Sequence, residues 1–89
     1  MKYIVTEDSD GKEEIFLFPR SINHDCMAEA LKLIKNHTRR NWVKIRRDPI
    51  SAGFVSHDNK CYGESESLGL KSRHGFDTEI LRTHLEALR

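Results

Sequence analysis

The amino-acid sequence predicts a small α+β fold, and three observations lead to this prediction. A tight-turn signal, Asp10-Gly11, separates two segments rich in β-branched and aromatic residues, at positions 2–6 and 14–18. A second turn signal, Asp58-Asn59, stands between two further short apolar segments. Two other stretches place apolar residues at helical spacing. We therefore expect a small antiparallel or mixed sheet of four to five strands (two hairpins plus a middle strand) with two helices, in the order ββα(β)ββα.

Length and composition indicate one small globular domain over residues 1–89. Apolar residues make up 37% of the chain and charged residues 33%, which is typical of a soluble folded protein. A chain of 89 residues supports one modest hydrophobic core and leaves no room for a second. We expect any functional site to be a groove or face at the surface rather than a large internal cavity.

The first hairpin should be closed by Asp10-Gly11. Centring a two-residue turn there pairs Val5 with Phe16 and Tyr3 with Phe18. Both faces of the resulting hairpin are apolar, which predicts cover on both sides or a central place in the sheet.

The first helix should begin after Asn23, which we assign as its N-cap, with Asp25 in the first turn. Ile22 and Met27 then fall at the positions of a hydrophobic staple. We expect this helix to run to about His37.

Residues 38–47 fit two alternatives. As a strand they would alternate Trp42 and Lys44 with Val43 and Ile45, and as a helix they would extend the first helix to an unusual length. We favour the strand. In either case the segment should end at residues 48–49, because a proline disfavours helical geometry at the residue before it.

The second hairpin should join residues 54–57 and 60–64 through Asp58-Asn59 or a slightly longer turn. Gly53 and Gly63 suggest a bulge or the close approach of another backbone. Residues 64–75 are expected to form a surface loop that Leu68 and Leu70 hold down.

The last helix should begin after Asp77 as N-cap. Phe76 and Leu81 would then form a second staple, and Ile80 and Leu85 would extend the apolar face.

Histidines and cysteines raise the question of a metal site. His24, Cys26, His57 and Cys61 supply nitrogen and sulfur donors that suit zinc, but the one-residue gap between His24 and Cys26 directs the two side chains apart. We predict no metal and no cofactor. The expected arrangement is a buried Cys26, a half-buried Cys61 and two surface histidines.

No catalytic residue is predicted. Cys61 is close in sequence to His57, and Ser65 and Ser67 lie in an acidic loop, but nothing marks an oxyanion hole or an oriented base. A small hydrolase or transferase is therefore the third alternative, behind two binding functions.

Charge is distributed unevenly along the chain, although the net charge is only +1. Residues 1–30 hold three basic residues against seven acidic ones, a net charge of −4, whereas residues 31–60 hold eight against two, a net charge of +6. Such a basic band can attract an acidic partner. The predicted binding residues are Lys32, Lys35, Arg39, Arg40, Trp42, Lys44, Arg46 and Arg47.

This band predicts a non-enzymatic interaction module that binds a protein partner. Nucleic-acid binding through residues 39–47 is the alternative, because clustered cations neutralise phosphates and Trp42 could stack on an unpaired base. A homodimer is also open, since a small sheet has edges to cover. The two cysteines are expected to be free thiols in a cytoplasmic protein without a signal peptide or membrane span.

Three segments resemble the C-terminal part of small uncharacterised bacteriophage and prophage proteins: Ser51-Ala-Gly-Phe-Val, the run from Cys61 to Arg73, and Asp77-Thr-Glu-Ile-Leu. With residues 18–25 the resemblance covers about half of the chain. It implies an accessory protein of a bacterial or phage-infected host cell. It implies no activity and no functional residue.

Overall fold

The computed structural model describes the backbone of residues 1–32, 35–37, 42–44 and 47–88, and the side chains of residues 1–31 and 47–88. Two helices and four antiparallel strands form its main body, which confirms the small α+β class. The elements in chain order are β1 (Lys2–Asp8), β2 (Glu13–Phe18), α1 (His24–Lys32), β3 (Lys35–His37), β4 (Trp42–Lys44), β5 (Arg47–Val55), β6 (Cys61–Tyr62), β7 (Glu64–Ser65), β8 (Leu70–Lys71) and α2 (His74–Ala87).

The main sheet has the strand order β2-β1-β5-β6, and every neighbouring pair is antiparallel. Two short ladders, β3-β4 and β7-β8, pair separately from it. The predicted middle strand therefore exists in part, as β4, but it pairs with β3 and not with the main sheet. The prediction that the first helix continues to His37 is wrong, because the helix ends at Lys32 and Lys35–His37 is a strand.

Strand β1 is buried on both faces, as its two-sided apolar pattern predicts. On one face Tyr3 and Val5 pack with Ile15, Cys61 and Leu81, so this face is covered by α2. On the other face Ile4 and Ala52 pack with Phe18 and with Ala28 and Leu31 of α1. The two helices thus cover opposite faces of the sheet.

The first hairpin is closed by three loop residues rather than two. The amide of Gly11 donates to the carbonyl of Asp8 at 3.0 Å, and the amide of Asp8 donates to the carbonyl of Lys12 at 3.0 Å. Gly11 has a φ of +82°, the left-handed conformation that such a turn needs at its last residue. The Asp8 carboxylate also accepts the amides of Asp10 and Lys12, each at 2.9 Å.

This extra loop residue shifts the predicted register by one position. Val5 lies opposite Ile15, not Phe16, and Tyr3 lies opposite Leu17, not Phe18. Because side chains alternate between faces along a strand, the shift moves the two phenylalanines to the α1 face of the sheet.

The second hairpin has the same design. The amide of Asn59 donates to the carbonyl of Ser56 at 3.0 Å, and Asn59 takes the left-handed conformation with a φ of +62°. Strands β5 and β6 meet with Phe54 opposite Tyr62. A Cβ placed on Gly53 would lie 2.3 Å from the carbonyl oxygen of Tyr62, so the predicted close backbone approach is present.

Strand β5 continues through Pro49, although residues 48–49 were expected to end a strand. Thr6 lies opposite Pro49 and Val5 opposite Ser51, which leaves Ile50 as the extra residue of a bulge. Strand β6 pairs only with the far end of β5, so the missing amide proton of Pro49 costs no hydrogen bond to β6.

The segment after the second hairpin is more regular than a loop. Strands β7 and β8 pair, with Ser65 opposite Leu70. Leu68 and Leu70 pack against the α1 side of the core, as predicted. No helix in the described ranges is long and apolar enough to cross a membrane.

We expect Gly53→Ala to lower the free energy of unfolding by about 2–3 kcal/mol, because the new methyl group overlaps the backbone of β6. Urea denaturation monitored by circular dichroism would measure the change. Gly75→Ala is the matched control. No atom lies within 4 Å of a Cβ at Gly75, and this substitution in α2 should leave stability unchanged or raise it by up to about 1 kcal/mol. An equal loss of unfolding free energy in the Gly53→Ala and Gly75→Ala variants would contradict the close approach of the β6 backbone to Gly53.

Candidate functional site

The predicted basic band is divided among several elements. Lys32 ends α1, Lys35 begins β3, Trp42 and Lys44 lie at the two ends of β4, and Arg47 begins β5. Arg39, Arg40 and Arg46 lie outside the described residues. The structure therefore gives the backbone position of five of the eight residues and the side chain of Arg47, and binding by the band stays a prediction.

Strands β3 and β4 form an antiparallel ribbon that pairs only with itself among the described strands. Its register sets Lys35 opposite Lys44 and His37 opposite Trp42. Like charges at directly opposed positions destabilise a strand pair. The register of the ribbon thus sets two basic residues at directly opposed positions.

Arg47 is 7% exposed, and its guanidinium carbon lies 5.9 Å from the ring centroid of Phe16. Asp8 lies opposite it across the β1-β5 pair. Arg47 is thus part of the packing of the sheet, at the place where the chain leaves the basic band.

The most connected polar group of the described chain is the carboxylate of Asp77, which is 0% exposed. Its Oδ2 accepts the Tyr3 hydroxyl at 2.6 Å and the backbone amide of Arg73 at 2.9 Å. Its Oδ1 accepts Nε of Arg73 at 3.0 Å, and Nη2 of Arg73 lies 2.9 Å away. Nη1 of the same arginine lies 2.7 Å from Glu13, so one guanidinium connects α2 with β2.

These contacts correct the predicted start of the last helix. Helix α2 begins at His74 with Arg73 as N-cap, and Asp77 lies within its first turns. The Asp77 side chain, from a position inside the helix, accepts the backbone amide of the N-cap residue Arg73. Phe76 is 75% exposed whereas Leu81 is 1% exposed, so the predicted staple between them is wrong.

Tyr3 links this helix to the centre of the sheet. Its hydroxyl contacts both Asp77 and the Ser72 hydroxyl, which lies 2.7 Å away. Burial, and next the hydrogen bond to the Asp77 carboxylate, raise the pKa of Tyr3 well above its usual value. The phenol therefore stays protonated and acts as a donor.

Cys61 lies beside this network and is completely buried. Burial, with a smaller contribution from the charge of Asp77, raises the pKa of the Cys61 thiol to about 11. Cys26, in contrast, is exposed. Cys26, which was predicted to be buried, is thus exposed, and Cys61, which was predicted to be half-buried, is completely buried. Tyr3, Cys61 and Asp77 are all 0% exposed, and the hydrogen bond between Tyr3 and Asp77 joins α2 to the sheet.

His24 is buried rather than at the surface, which corrects a further expectation. Its Nε2 lies 2.9 Å from the carbonyl oxygen of Gly53, and its ring packs edge-on against Phe18 and Phe54. Within the described ranges no group of three or more histidine, cysteine or acidic side chains could hold a metal ion.

A groove at the end of α2 was missed by the sequence reasoning. Its volume is about 650 Å³, and it lies between the second hairpin turn and the last turns of the helix. The apolar lining comes from Met1, Leu17, Val55, Tyr62, Leu81 and Leu85, and the polar lining from Arg20, Ser56, His57 and Asn59. These residues come from four separate parts of the chain, so no local motif could have indicated the groove.

Arg20 occupies the rim of this groove in a defined position. Its guanidinium carbon lies 5.8 Å from the ring centroid of Phe54, and its Nη2 donates to the Tyr62 hydroxyl at 3.4 Å. The Phe54 and Tyr62 rings are neighbours, with centroids 5.8 Å apart. A cation held over an aromatic ring is partly oriented before any ligand binds.

Removal of the Tyr3 hydroxyl tests the buried network. We expect Tyr3→Phe to lower the free energy of unfolding by about 2 kcal/mol, because the buried Asp77 carboxylate loses a donor. Tyr62→Phe removes an exposed hydroxyl and should change stability by less than about 0.5 kcal/mol. Chemical denaturation of both variants gives the comparison. A Tyr3→Phe protein as stable as the parent would show that the hydrogen bond is not needed.

The two thiols should differ sharply in reactivity. At pH 8 we expect the exposed Cys26 to react with a thiol-specific reagent, while the buried Cys61, with its raised pKa, stays protonated and protected. Absorbance on reaction with a disulfide reagent should therefore report one thiol per folded chain and two in denaturant. The Cys26→Ser variant should show none when folded. Rapid modification of Cys61 in that folded variant would contradict its burial.

Comparison of the chain with protein-family models, with curated proteins and with solved structures finds no match. The resemblance to bacteriophage and prophage proteins therefore stays a prediction.

Proposed function

We propose that this chain is a non-enzymatic interaction module, an accessory protein of bacteriophage or prophage type, that binds an acidic protein surface through its basic band. The observation that carries the proposal is the β3-β4 ribbon, which sets Lys35 opposite Lys44 apart from the main sheet. An anionic partner would relieve the repulsion between these opposed lysines.

Four acidic residues outside the band have arginine partners. Glu13 and Asp77 both pair with Arg73, and Glu79 and Glu86 both pair with Arg82 at distances of 2.7–2.9 Å. These four carboxylates already have arginine partners outside the band. This favours a role for the basic band in attracting negative charge on another molecule.

The acidic tip of the first hairpin favours a protein over a nucleic acid. Asp8 lies opposite Arg47 and Glu7 opposite Asp48, so this tip adjoins the end of the basic band. Exposed Glu7 and Asp10 would repel a long, uniformly charged phosphate backbone passing that point. A protein surface of mixed charge can match a basic region with an acidic region beside it.

Nucleic-acid binding through residues 39–47 is the second candidate. The observation that favours it is the register of β4, which sets Trp42 opposite His37 within a ribbon that also carries lysines. Aromatic residues among cations suit the stacking of unpaired bases.

Substitution of two arginines separates the two candidates. The wild type should bind labelled polyglutamate, which serves as a model acidic protein chain. The double variant Arg39→Ala/Arg40→Ala should bind it about tenfold or more weakly, because charge-assisted contacts contribute about 1.5–3 kcal/mol each. Fluorescence anisotropy at low and moderate salt measures the affinity. Arg82→Ala, which removes an exposed arginine of α2, is the control and should bind like the wild type.

A labelled duplex and a single strand are titrated in parallel with polyglutamate. Tighter binding of either nucleic acid, with a steep salt dependence that flattens in the double variant, would overturn the protein-binding proposal in favour of the alternative. Absence of binding to every polyanion at low salt would contradict both.

A further inference from the structure

We infer that the groove beside Arg20 is a second binding site, which takes a peptide segment of a protein partner that carries an aliphatic side chain next to a carboxylate. The Arg20 guanidinium would donate to the carboxylate, and the apolar floor would receive the aliphatic side chain. This site goes beyond the proposed function, because no residue of the basic band lines the groove.

Among the described residues, Arg20 has no carboxylate partner. Its guanidinium contacts the Phe54 ring and the Tyr62 hydroxyl. Arg73 and Arg82, in contrast, each pair with two carboxylates. An exposed guanidinium that is oriented by an aromatic ring and keeps its other donors available is suited to bind a carboxylate through two hydrogen bonds.

The floor of the groove is apolar and accessible. Leu17, Val55 and Leu85 are each only partly buried, and Met1 and Tyr62 at its edges are 53% and 42% exposed. Water in contact with this floor would be released when an aliphatic side chain covers it. The groove, about 650 Å³ in volume, is open along these edges, which suits one face of a peptide better than an enclosed small molecule.

The charge around the groove also favours an anion. None of its lining residues carries a carboxylate, whereas each of three other grooves includes at least two. The groove between β2 and α2, for example, is lined by Glu13, Glu14 and Glu79. An incoming carboxylate would therefore meet Arg20 with no negative charge among the lining residues, and the electrostatic preference and the apolar floor indicate the same kind of ligand.

A short amidated peptide that alternates leucine and glutamate is the probe, and a peptide with glutamine in place of glutamate is its matched control. In a titration followed by two-dimensional amide NMR, we expect shifts to centre on Leu17, Val55 and Leu85. We expect Arg20→Gln to weaken binding of the glutamate peptide about tenfold and to leave binding of the glutamine peptide unchanged. Arg82 is an exposed arginine that does not line the groove. The Arg82→Gln variant should therefore bind both peptides like the wild type.

Several outcomes would overturn the inference. The first is equal affinity of the wild type for the glutamate and glutamine peptides. The second is an equal loss of affinity for the glutamate peptide in the Arg20→Gln and Arg82→Gln variants. The third is no binding at millimolar concentration of the glutamate peptide. Binding of decanoate but not of the peptide would assign the groove to a small amphiphile instead. Substitution of Arg39 and Arg40 should not change these titrations, so failure of the groove and failure of the basic band can be distinguished.

Discussion

A buried carboxylate places the strongest constraint on this structure. Burial of a carboxylate costs several kcal/mol unless it is paired, and at Asp77 the hydrogen bonds from Tyr3 and Arg73 offset that cost. Displacement of α2 along the sheet would remove the Tyr3 donor from Asp77, whereas the Arg73 donors move with the helix. The ion pair between Arg73 and Glu13 extends the same constraint to β2. Helix α2 is therefore fixed in position and angle, and with it the buried Cys61 and one wall of the Arg20 groove.

Local patterns predicted the elements better than their pairing. The first hairpin, the start of α1 after Asn23 and the second hairpin all follow from residues within a few positions of one another. The register of the first hairpin does not, because Gly11 is equally suited to a two-residue and a three-residue turn. Because of that ambiguity of one residue, the predicted register placed Phe16 and Phe18 on the wrong face of the sheet.

Long-range contacts explain most of the remaining errors. Asp77 looks like an N-cap from its neighbours, but its partner Tyr3 is 74 positions away. Pro49 looks like a strand end, and it is tolerated because the neighbouring strand stops short of it. The Arg20 groove brings together residues that share no sequence motif. The basic band, in contrast, was visible in the sequence, since charge density along the chain requires no knowledge of pairing.

The position of β1 between β2 and β5 has a consequence for folding. The central strand belongs to the first residues of the domain, yet one of its faces is covered by the last helix. Such non-local contacts raise the contact order and slow the search for the native state. During synthesis, α2 must leave the ribosome before it can cover Tyr3 and Val5. Until then, a nascent chain of this design presents one apolar face of β1 to its surroundings.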